Sequence, residues 1–241
     1  GKGEPCEPLS YDPLNDVEFL ETELDFWYLD IIKRGWDKFS RTIQQEKSQT
    51  SKAIGKQLSG LGVDEDLVKK AIQELLLNPE KPSTWTDEEI FKLARYLRIK
   101  TKPMMIAANK VDVPGAEKNI ERIKERFPDY TIIPCSAECE LALKEADKHD
   151  VIKYVPGEDN FEILNPDKLS VKQKTALEFI RKNILEKNHT TGVQDVINTA
   201  IFEKLNYIAL FPGGVTKLED SDGNVIPDCF LMPAGTTALE F

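Results

Sequence analysis

The stretch KPMMIAANKVD, residues 102–112, decides the fold class of this chain. Its apolar part, Met104 to Ala108, is short and unbroken and follows Pro103, which is typical of a strand buried on both faces of a parallel sheet. The strand ends in Asn-Lys-Val-Asp, residues 109–112, where side chains that carry hydrogen bonds or charge gather at one point. Ligands of parallel α/β sheets bind at the carboxyl ends of the strands, so these residues are candidates for a binding site.

The residues that follow predict the partner strand. Residues 114–127 have the apolar spacing of a helix, and Thr131–Cys135 is a second short apolar run. Strand, helix and strand in this order form the parallel unit of an α/β sheet. We therefore expect Ser136, Ala137 and Glu138, at the end of the second strand, to lie beside the first strand end.

The chemistry of these two strand ends fits a guanine base. The Asn109 amide offers a donor and an acceptor to a purine edge, and the methylene stem of Lys110 can lie along a ring face. The Asp112 carboxylate can accept two hydrogen bonds from the ring N–H and the amine that guanine has and adenine lacks. A small residue, Ala137, lets a backbone N–H approach the base oxygen. The alternative is a surface turn in which Lys110 is solvated and Asp112 caps the helix that begins near Pro114.

Composition and charge limit the classes of function. The 241 residues are 40% hydrophobic and 31% charged, with a net charge of −10, which argues against wrapping nucleic acid through bulk electrostatics. No run reaches about 18 consecutive apolar residues and no secretory leader opens the sequence, so we expect no membrane partner. Four scattered cysteines and two histidines lack the spacing of a disulfide framework or a metal site, which favours reduced thiols in the cytoplasm. The cysteines are Cys6, Cys135, Cys139 and Cys229.

The residues before the decisive stretch predict an all-helical block. Apolar side chains recur at three- and four-residue intervals from Asp16 onward, which predicts one buried helix face. That predicted face consists of Val17, Leu20, Leu24, Trp27 and Ile31. Thr86 and Glu89 form the pattern of a capping box at the start of a later helix.

The residues after it predict two further helices and then strands. Capping-box patterns occur at 170–173 and 191–194. Strand-like alternation begins at Tyr207–Phe211, and Asp222-Gly223-Asn224 has the chemistry of a hairpin turn.

These motifs carry a family resemblance. NKVD (109–112) and SAE (136–138) look like the fourth and fifth nucleotide motifs of the Ras-like GTPases. More narrowly, the chain resembles the archaeal Obg-related, YchF-type GTPases along four stretches. They are DVEFLETELDFWYLDIIKRGWDKFSR (16–41), KPMMIAANKVD (102–112), TGVQDVINTAIFEKL (191–205) and DGNVIPDCFLMPAGTT (222–237).

The resemblance implies an α/β fold: the C-terminal part of a Ras-like P-loop GTPase domain, an all-helical insertion and a partial TGS module, which is a ubiquitin-like β-grasp. It divides the chain into a lead-in loop (1–15), the helical insertion (16–99), the remainder of the G domain (100–206) and the start of the TGS domain (207–241). It further implies a cytoplasmic GTP hydrolase that uses magnesium when complete. Its partners would be the ribosome or RNA, contacted through the helical and TGS parts.

The sequence also departs from the family pattern. It contains no G-x-x-x-x-G-K-[ST] phosphate loop, and Gly1-Lys2 is followed by Gly3 rather than by Ser or Thr. We therefore expect a fragment that carries the guanine-recognition half, without catalytic or metal-binding residues, and that does not hydrolyse GTP alone. The complete N-K-x-D tetrad favours GTP. The alternatives are an ATP-directed hydrolase of the same family and a non-catalytic module that binds RNA or the ribosome.

Overall fold

The computed structural model describes residues 10–211, 219, 222–225 and 229–241. The chain divides into two compact units, Gly1–Met104 and Met105–Phe241. Of the lead-in predicted for residues 1–15, residues 1–9 lie outside the described ranges. Within those ranges no helix is both long and apolar enough to pass through a lipid bilayer.

The first unit is helical wherever the structure describes a regular element. The elements are α1 (Leu14–Lys33), α2 (Trp36–Glu46), α3 (Thr50–Gln57), α4 (Glu65–Glu74) and α5 (Asp87–Thr101), with short 3₁₀ turns at Ser59–Leu61 and Pro82–Thr84. At the start of α5 the Thr86 side chain accepts a bond from the Glu89 N–H, and the Glu89 carboxylate accepts one from the Thr86 N–H. The capping box predicted there is confirmed.

The buried face of α1 differs from the predicted one. Asp25, Tyr28 and Ile32 are buried, whereas Leu20 and Trp27 are exposed. The helix face that packs against the core is shifted by one residue from the predicted face. This shift corresponds to a rotation of about 100° around the helix axis. The prediction was therefore wrong for Leu20 and Trp27.

Polar partners on α5 explain this displacement. The Tyr28 hydroxyl is hydrogen-bonded to the Thr101 hydroxyl at 2.6 Å. The Asp25 carboxylate accepts a bond from Arg98 Nε at 2.8 Å, and both side chains are buried. Buried polar groups need such partners, so α1 turns its aspartate inward and leaves Trp27 at the surface.

The core of the first unit combines helix faces and two stacked tryptophans. Trp36 and Trp85 are buried, with ring centroids 5.5 Å apart, and the Trp85 indole N–H donates to the Asn78 carbonyl. These two tryptophans are packing residues of the core. The fully buried aliphatic residues around them include Ile54, Val68, Ile90, Leu93 and Leu97.

The second unit opens with the predicted parallel unit. β1 (Met105–Ala108) runs parallel to β2 (Thr131–Pro134), and α6 (Ala116–Arg126) connects them. Ala108 is aligned with Pro134, so both strands end at the same edge. The chain is therefore an α/β protein with a high helical content.

Burial of β1 on both faces was predicted and is not observed. Ala107 is exposed, Met105 and Ile106 are half-buried, and Ala108 alone in this strand is buried. The reason is the width of the sheet: in the described part of this unit, β1 pairs with β2 and with no further strand. A two-stranded sheet leaves apolar side chains accessible that a wider sheet would cover.

The rest of the second unit mixes helices with two short antiparallel pairs. Its elements are α7 (Ala137–Lys148), β3 (Ile152–Lys153) paired with β4 (Glu162–Ile163), α8 (Val171–Ile180), α9 (Glu186–Asn188), α10 (Val193–Asn198), and β5 (Tyr207–Leu210) paired with β6 (Phe230–Pro233). A π-helical turn, Arg181–Leu185, joins α8 to α9, and a second one, Thr199–Lys204, continues α10. The capping box predicted at Ser170 and Gln173 is confirmed.

The hairpin predicted around residues 222–224 falls partly outside the described residues. Gly223 has a left-handed φ of 82°, and Glu219 forms an antiparallel bridge with Val225 on the other side of the turn. Both features agree with a hairpin. The assignment of residues 207–241 to a TGS domain stays a prediction.

Candidate functional site

The two loops that follow β1 and β2 are joined by backbone hydrogen bonds. The Cys135 N–H donates to the Ala108 carbonyl at 3.0 Å, and the Val111 N–H donates to the Cys135 carbonyl at 3.2 Å. The pairing of the strands thus continues into the loops. This continuation holds residues 109–112 and 136–138 side by side at the carboxyl edge of the sheet.

Asn109 links the two loops through its side chain. Its Oδ1 accepts a bond from the Lys110 N–H at 2.8 Å and another from the Ala137 N–H at 3.0 Å. Lys110 adopts a left-handed φ of 70°, which folds the chain tightly after the strand. We expected the Ala137 N–H to approach a base oxygen, and in this structure it donates to Asn109 Oδ1.

Asp112 and Ser136 form the second link. The Ser136 hydroxyl donates to Asp112 Oδ1 at 2.6 Å, and the same hydroxyl accepts from the Cys139 N–H at 3.2 Å. Ser136 is fully buried and caps α7, whereas Asp112 is half-buried. The orientation of the Asp112 carboxylate is therefore fixed by a buried residue of the neighbouring loop.

The alternative role of Asp112, as a helix cap, does not hold. α6 begins at Ala116 behind Gly115, and no side chain caps it. The other predicted site residues are exposed at the carboxyl edge of the sheet. They are Asn109, Lys110, Ala137 and Glu138. For the Lys110 and Glu138 side chains, the described part of the chain provides no hydrogen bond or ion pair.

A third loop, which sequence reasoning did not assign to the site, supports the second one. The Ser136 N–H donates to the Thr191 carbonyl at 2.8 Å. Gly192 has a left-handed φ of 80°, and a Cβ there would overlap the Pro134 carbonyl oxygen and lie 2.8 Å from Cys135 Cα. The glycine lets this loop lie directly against the end of β2.

The capping box predicted at 191–194 is wrong. Gly192 precedes α10 without a side-chain cap, and the Thr191 hydroxyl instead donates to the buried Glu140 carboxylate at 2.6 Å. The glycine between Thr191 and the helix is the sequence signal that could have indicated this close approach.

A buried carboxylate ties the third loop to the body of the unit. Glu140 Oε2 accepts from both the Thr191 hydroxyl and the Tyr154 hydroxyl, the latter at 2.8 Å. Burial, followed by the hydrogen bond to Glu140, raises the pKa of Tyr154 to about 12. Glu140 therefore positions Thr191, and Thr191 in turn holds the Ser136 backbone.

The raised pKa of Tyr154 predicts a loss of stability in alkali. Between pH 10 and about 12 the unfolded state releases the Tyr154 proton while the folded state keeps it, so the free energy of unfolding should fall with rising pH in this window. A Tyr154→Phe variant should lack this contribution. Urea unfolding of both proteins between pH 9 and 12 measures it: the wild-type advantage should shrink as the pH rises, and a constant difference would contradict the prediction.

Two cysteines lie next to Ser136, one directly before it and one in the first turn of α7. Cys135 and Cys139 are buried free thiols, and burial raises the pKa of each. A raised thiol pKa disfavours the thiolate, which is the reactive form. Within the residues described, no group of three or more His, Cys, Asp or Glu side chains could hold a metal ion.

Comparison with known proteins finds a family model that matches the part of the chain containing both loops. Residues 107–214 match the family model described as Obg-like GTPase YGR210-like, G4 motif-containing domain. The chain is 47% identical to an uncharacterized GTP-binding protein of Methanocaldococcus jannaschii over 99% of its own length and 59% of that protein. It is 30% identical to an uncharacterized GTP-binding protein of Schizosaccharomyces pombe over 98% of its own length and 59% of that protein.

A solved structure of a GTP binding protein is also similar to this chain. The crystal structure of a GTP binding protein from Pyrococcus horikoshii OT3 has a TM-score of 0.71 to this chain and 36% sequence identity. The match covers 99% of this chain and 62% of that one. The chain thus spans about three-fifths of the length of these relatives.

Proposed function

We propose that the edge formed by residues 109–112 and 136–138 binds the base of a guanine nucleotide. Support comes from the match of residues 107–214 to an Obg-like GTPase family model and from the similarity to GTP-binding proteins. The observation that carries the proposal is the 2.6 Å bond from the Ser136 hydroxyl to Asp112 Oδ1. It orients one carboxylate at a sheet edge where parallel α/β proteins bind ligands. In this orientation the carboxylate can receive the two adjacent donors of guanine.

Adenine lacks that pair of donors. With adenine at this edge, the carboxylate would be desolvated without receiving the two hydrogen bonds that guanine donates. The guanine oxygen would in turn compete with Asn109 Oδ1 for the Ala137 N–H, which lies 3.0 Å from Asn109. We propose that base binding exchanges this internal bond for one to the ligand, with Lys110 packed along the ring face.

The type of GTPase and the domain boundaries are also proposals. We propose that the parent protein is a YchF-type GTPase in which residues 16–99 form a helical insertion, 100–206 complete the G domain and 207–241 begin a TGS domain. The helical unit and the relatives' greater length support this arrangement. The parent would use magnesium and hydrolyse GTP in the cytoplasm, with RNA or the ribosome as its partner.

For the 241-residue chain we propose base recognition without hydrolysis. Most of the affinity for a nucleotide, and nearly all of the catalysis of phosphoryl transfer, comes from groups around the phosphates and the metal. This sequence has no phosphate loop of the G-x-x-x-x-G-K-[ST] type. A base site alone consists of a few hydrogen bonds, so binding of guanosine at about millimolar strength is expected.

Replacing Asp112 by asparagine tests base recognition. The amide cannot accept from both guanine donors, so the preference for guanosine over adenosine should fall by about tenfold or more. Titration of the labelled chain with each nucleoside, followed by the amide resonances of residues 109–112 and 136–138, measures the preference. Asp129→Asn, at an exposed position outside the site, is the control.

The same titration separates the alternatives. A variant that still prefers guanosine as strongly as the wild type would contradict the role of Asp112. A wild type that prefers adenosine would favour the ATP-directed hydrolase.

A further inference from the structure

The outer face of α1 is apolar although it points away from the core. We define this face as Phe19, Leu20, Glu23, Phe26, Trp27 and Asp30. Its four apolar side chains are exposed by 66%, 49%, 50% and 46%, respectively. Exposed aromatic groups of this size, collected on one helix, mark interaction surfaces more often than isolated exposed residues do.

The spacing of these residues makes one continuous strip. Phe19 and Phe26 are seven residues apart, as are Leu20 and Trp27, so each pair is aligned to within about 20° on the helix. Phe19 is nine residues from the buried Tyr28, which places the two on opposite sides of the helix at about 180°. α1 therefore carries one apolar face toward the core and a second one that is largely exposed. Within the second face, the Phe26 ring also contacts Phe91 of α5, with ring centroids 5.6 Å apart.

Acidic side chains interrupt and border this strip. Glu23 lies between the two phenylalanines in sequence and on the helix surface, and Asp30 extends the same row; both are exposed. Asp16 and Glu18 are exposed at the beginning of the helix. The basic residue in the last turn, Lys33, forms an ion pair with Asp87 at 2.8 Å.

We infer that the outer face of α1 is a docking surface for a basic amphipathic helix of a partner protein. The apolar face of such a helix would cover the strip of Phe19, Leu20, Phe26 and Trp27, and its lysines or arginines would meet the carboxylates of Glu23 and Asp30. Heptad-spaced pairs of large side chains suit a second helix that lies along α1.

Charge distinguishes this occupant from nucleic acid, an anionic membrane and a second copy of the chain. Nucleic acid and anionic membranes would meet carboxylates rather than lysines at this surface. A second copy of the chain would place the same acidic row against itself and would add to the repulsion of a net charge of −10. A basic helix is the occupant that satisfies both the aromatic groups and the charges.

Trp27 provides a direct probe of this face. Of the three tryptophans in the chain, Trp36 and Trp85 are buried and Trp27 is exposed. Quenching of fluorescence by acrylamide therefore reports mainly on Trp27. The probe ligands are an 18-residue leucine-lysine peptide with an amphipathic helical pattern and the same peptide with glutamate in place of lysine.

The expected result is protection of Trp27 by the lysine peptide and not by the glutamate peptide, with affinity that decreases as salt is added. Phe19→Ala combined with Phe26→Ala should weaken binding by about tenfold or more, because aromatic anchors dominate such contacts. Leu76→Asn is the matched control, since Leu76 is 90% exposed in the same unit and lies outside α1 in the sequence. Circular dichroism verifies that each variant keeps its helical content.

Four results would overturn the inference. They are equal binding of the two peptides, equal loss of affinity in the Leu76 control, protection of Trp27 by an RNA oligonucleotide or by anionic vesicles, and protection that grows with the concentration of the chain alone. The last would identify a second copy as the occupant.

Discussion

Gly192→Ala is expected to lower the free energy of unfolding of the second unit by about 3 kcal/mol or more. Two effects add at this position. An alanine at φ 80° is strained by about 1 kcal/mol. Its Cβ would also overlap the Pro134 carbonyl oxygen, a backbone atom at the end of β2 that cannot move without disturbing the pairing with β1.

The same substitution should disturb the proposed base site at a distance. The loop at Gly192 carries the Thr191 carbonyl that accepts the Ser136 N–H. Displacement of this loop should shift the amide resonances of Ser136 and Ala137 and weaken guanosine binding. Urea unfolding followed by circular dichroism measures the stability, and nuclear magnetic resonance measures the shift.

Gly62→Ala is the control for strain alone. Gly62 has nearly the same φ, 79°, but nothing lies within 4 Å of an added Cβ. It should cost about 1 kcal/mol. If both variants lost the same stability, close packing of Gly192 against β2 would not be the cause.

Asp25→Ala is expected to destabilise the first unit by about 3–5 kcal/mol, because it leaves the buried Arg98 without its nearest counter-charge. Arg98 Nε lies 2.8 Å from Asp25, whereas a second carboxylate near the guanidinium, that of Glu21, is 3.9 Å from Arg98 and partly solvated. Since all three tryptophans belong to this unit, urea unfolding followed by their fluorescence isolates its stability.

Two further variants make this test specific. Glu23→Ala, on the exposed side of the same helix, should change the stability by about 0.5 kcal/mol or less. Asp25→Leu combined with Arg98→Met should recover most of the loss, because an apolar pair of similar volume needs no counter-charge. A loss below about 1 kcal/mol in Asp25→Ala would show that Glu21 replaces Asp25 after a small movement of Arg98.

Local signals in the sequence predicted the elements that depend on local interactions. The apolar runs at 104–108 and 131–135 predicted two parallel strands, and the capping boxes at Thr86 and Ser170 predicted two helix starts. The strand ends also predicted that residues 109–112 and 136–138 would be neighbours. Periodicity and capping act within a few residues, and the strand–helix–strand order then brings the carboxyl ends of two parallel strands to one edge of the sheet.

Contacts between distant parts of the chain could not be predicted in this way. Asp25 and Arg98 are 73 residues apart in the sequence. Their hydrogen bond places Asp25 on the buried face of α1, so this face differs from the apolar stripe that the spacing predicted. The contact between Thr191 and Glu140 spans 51 residues, and it uses a hydroxyl that local reasoning assigned to a helix cap. In both cases a buried polar group required a partner that periodicity does not identify.

The two π-helical turns change the register of the helices in which they lie. Each of them, Arg181–Leu185 and Thr199–Lys204, accommodates one residue more than an α-helix of the same length, and the positions after it are rotated relative to those before it. A single inserted codon could therefore be retained inside a helix without a new loop. An alignment of relatives that forbids gaps within helices would misalign every residue that follows such an insertion. Surface residues compared between relatives would then not be equivalent.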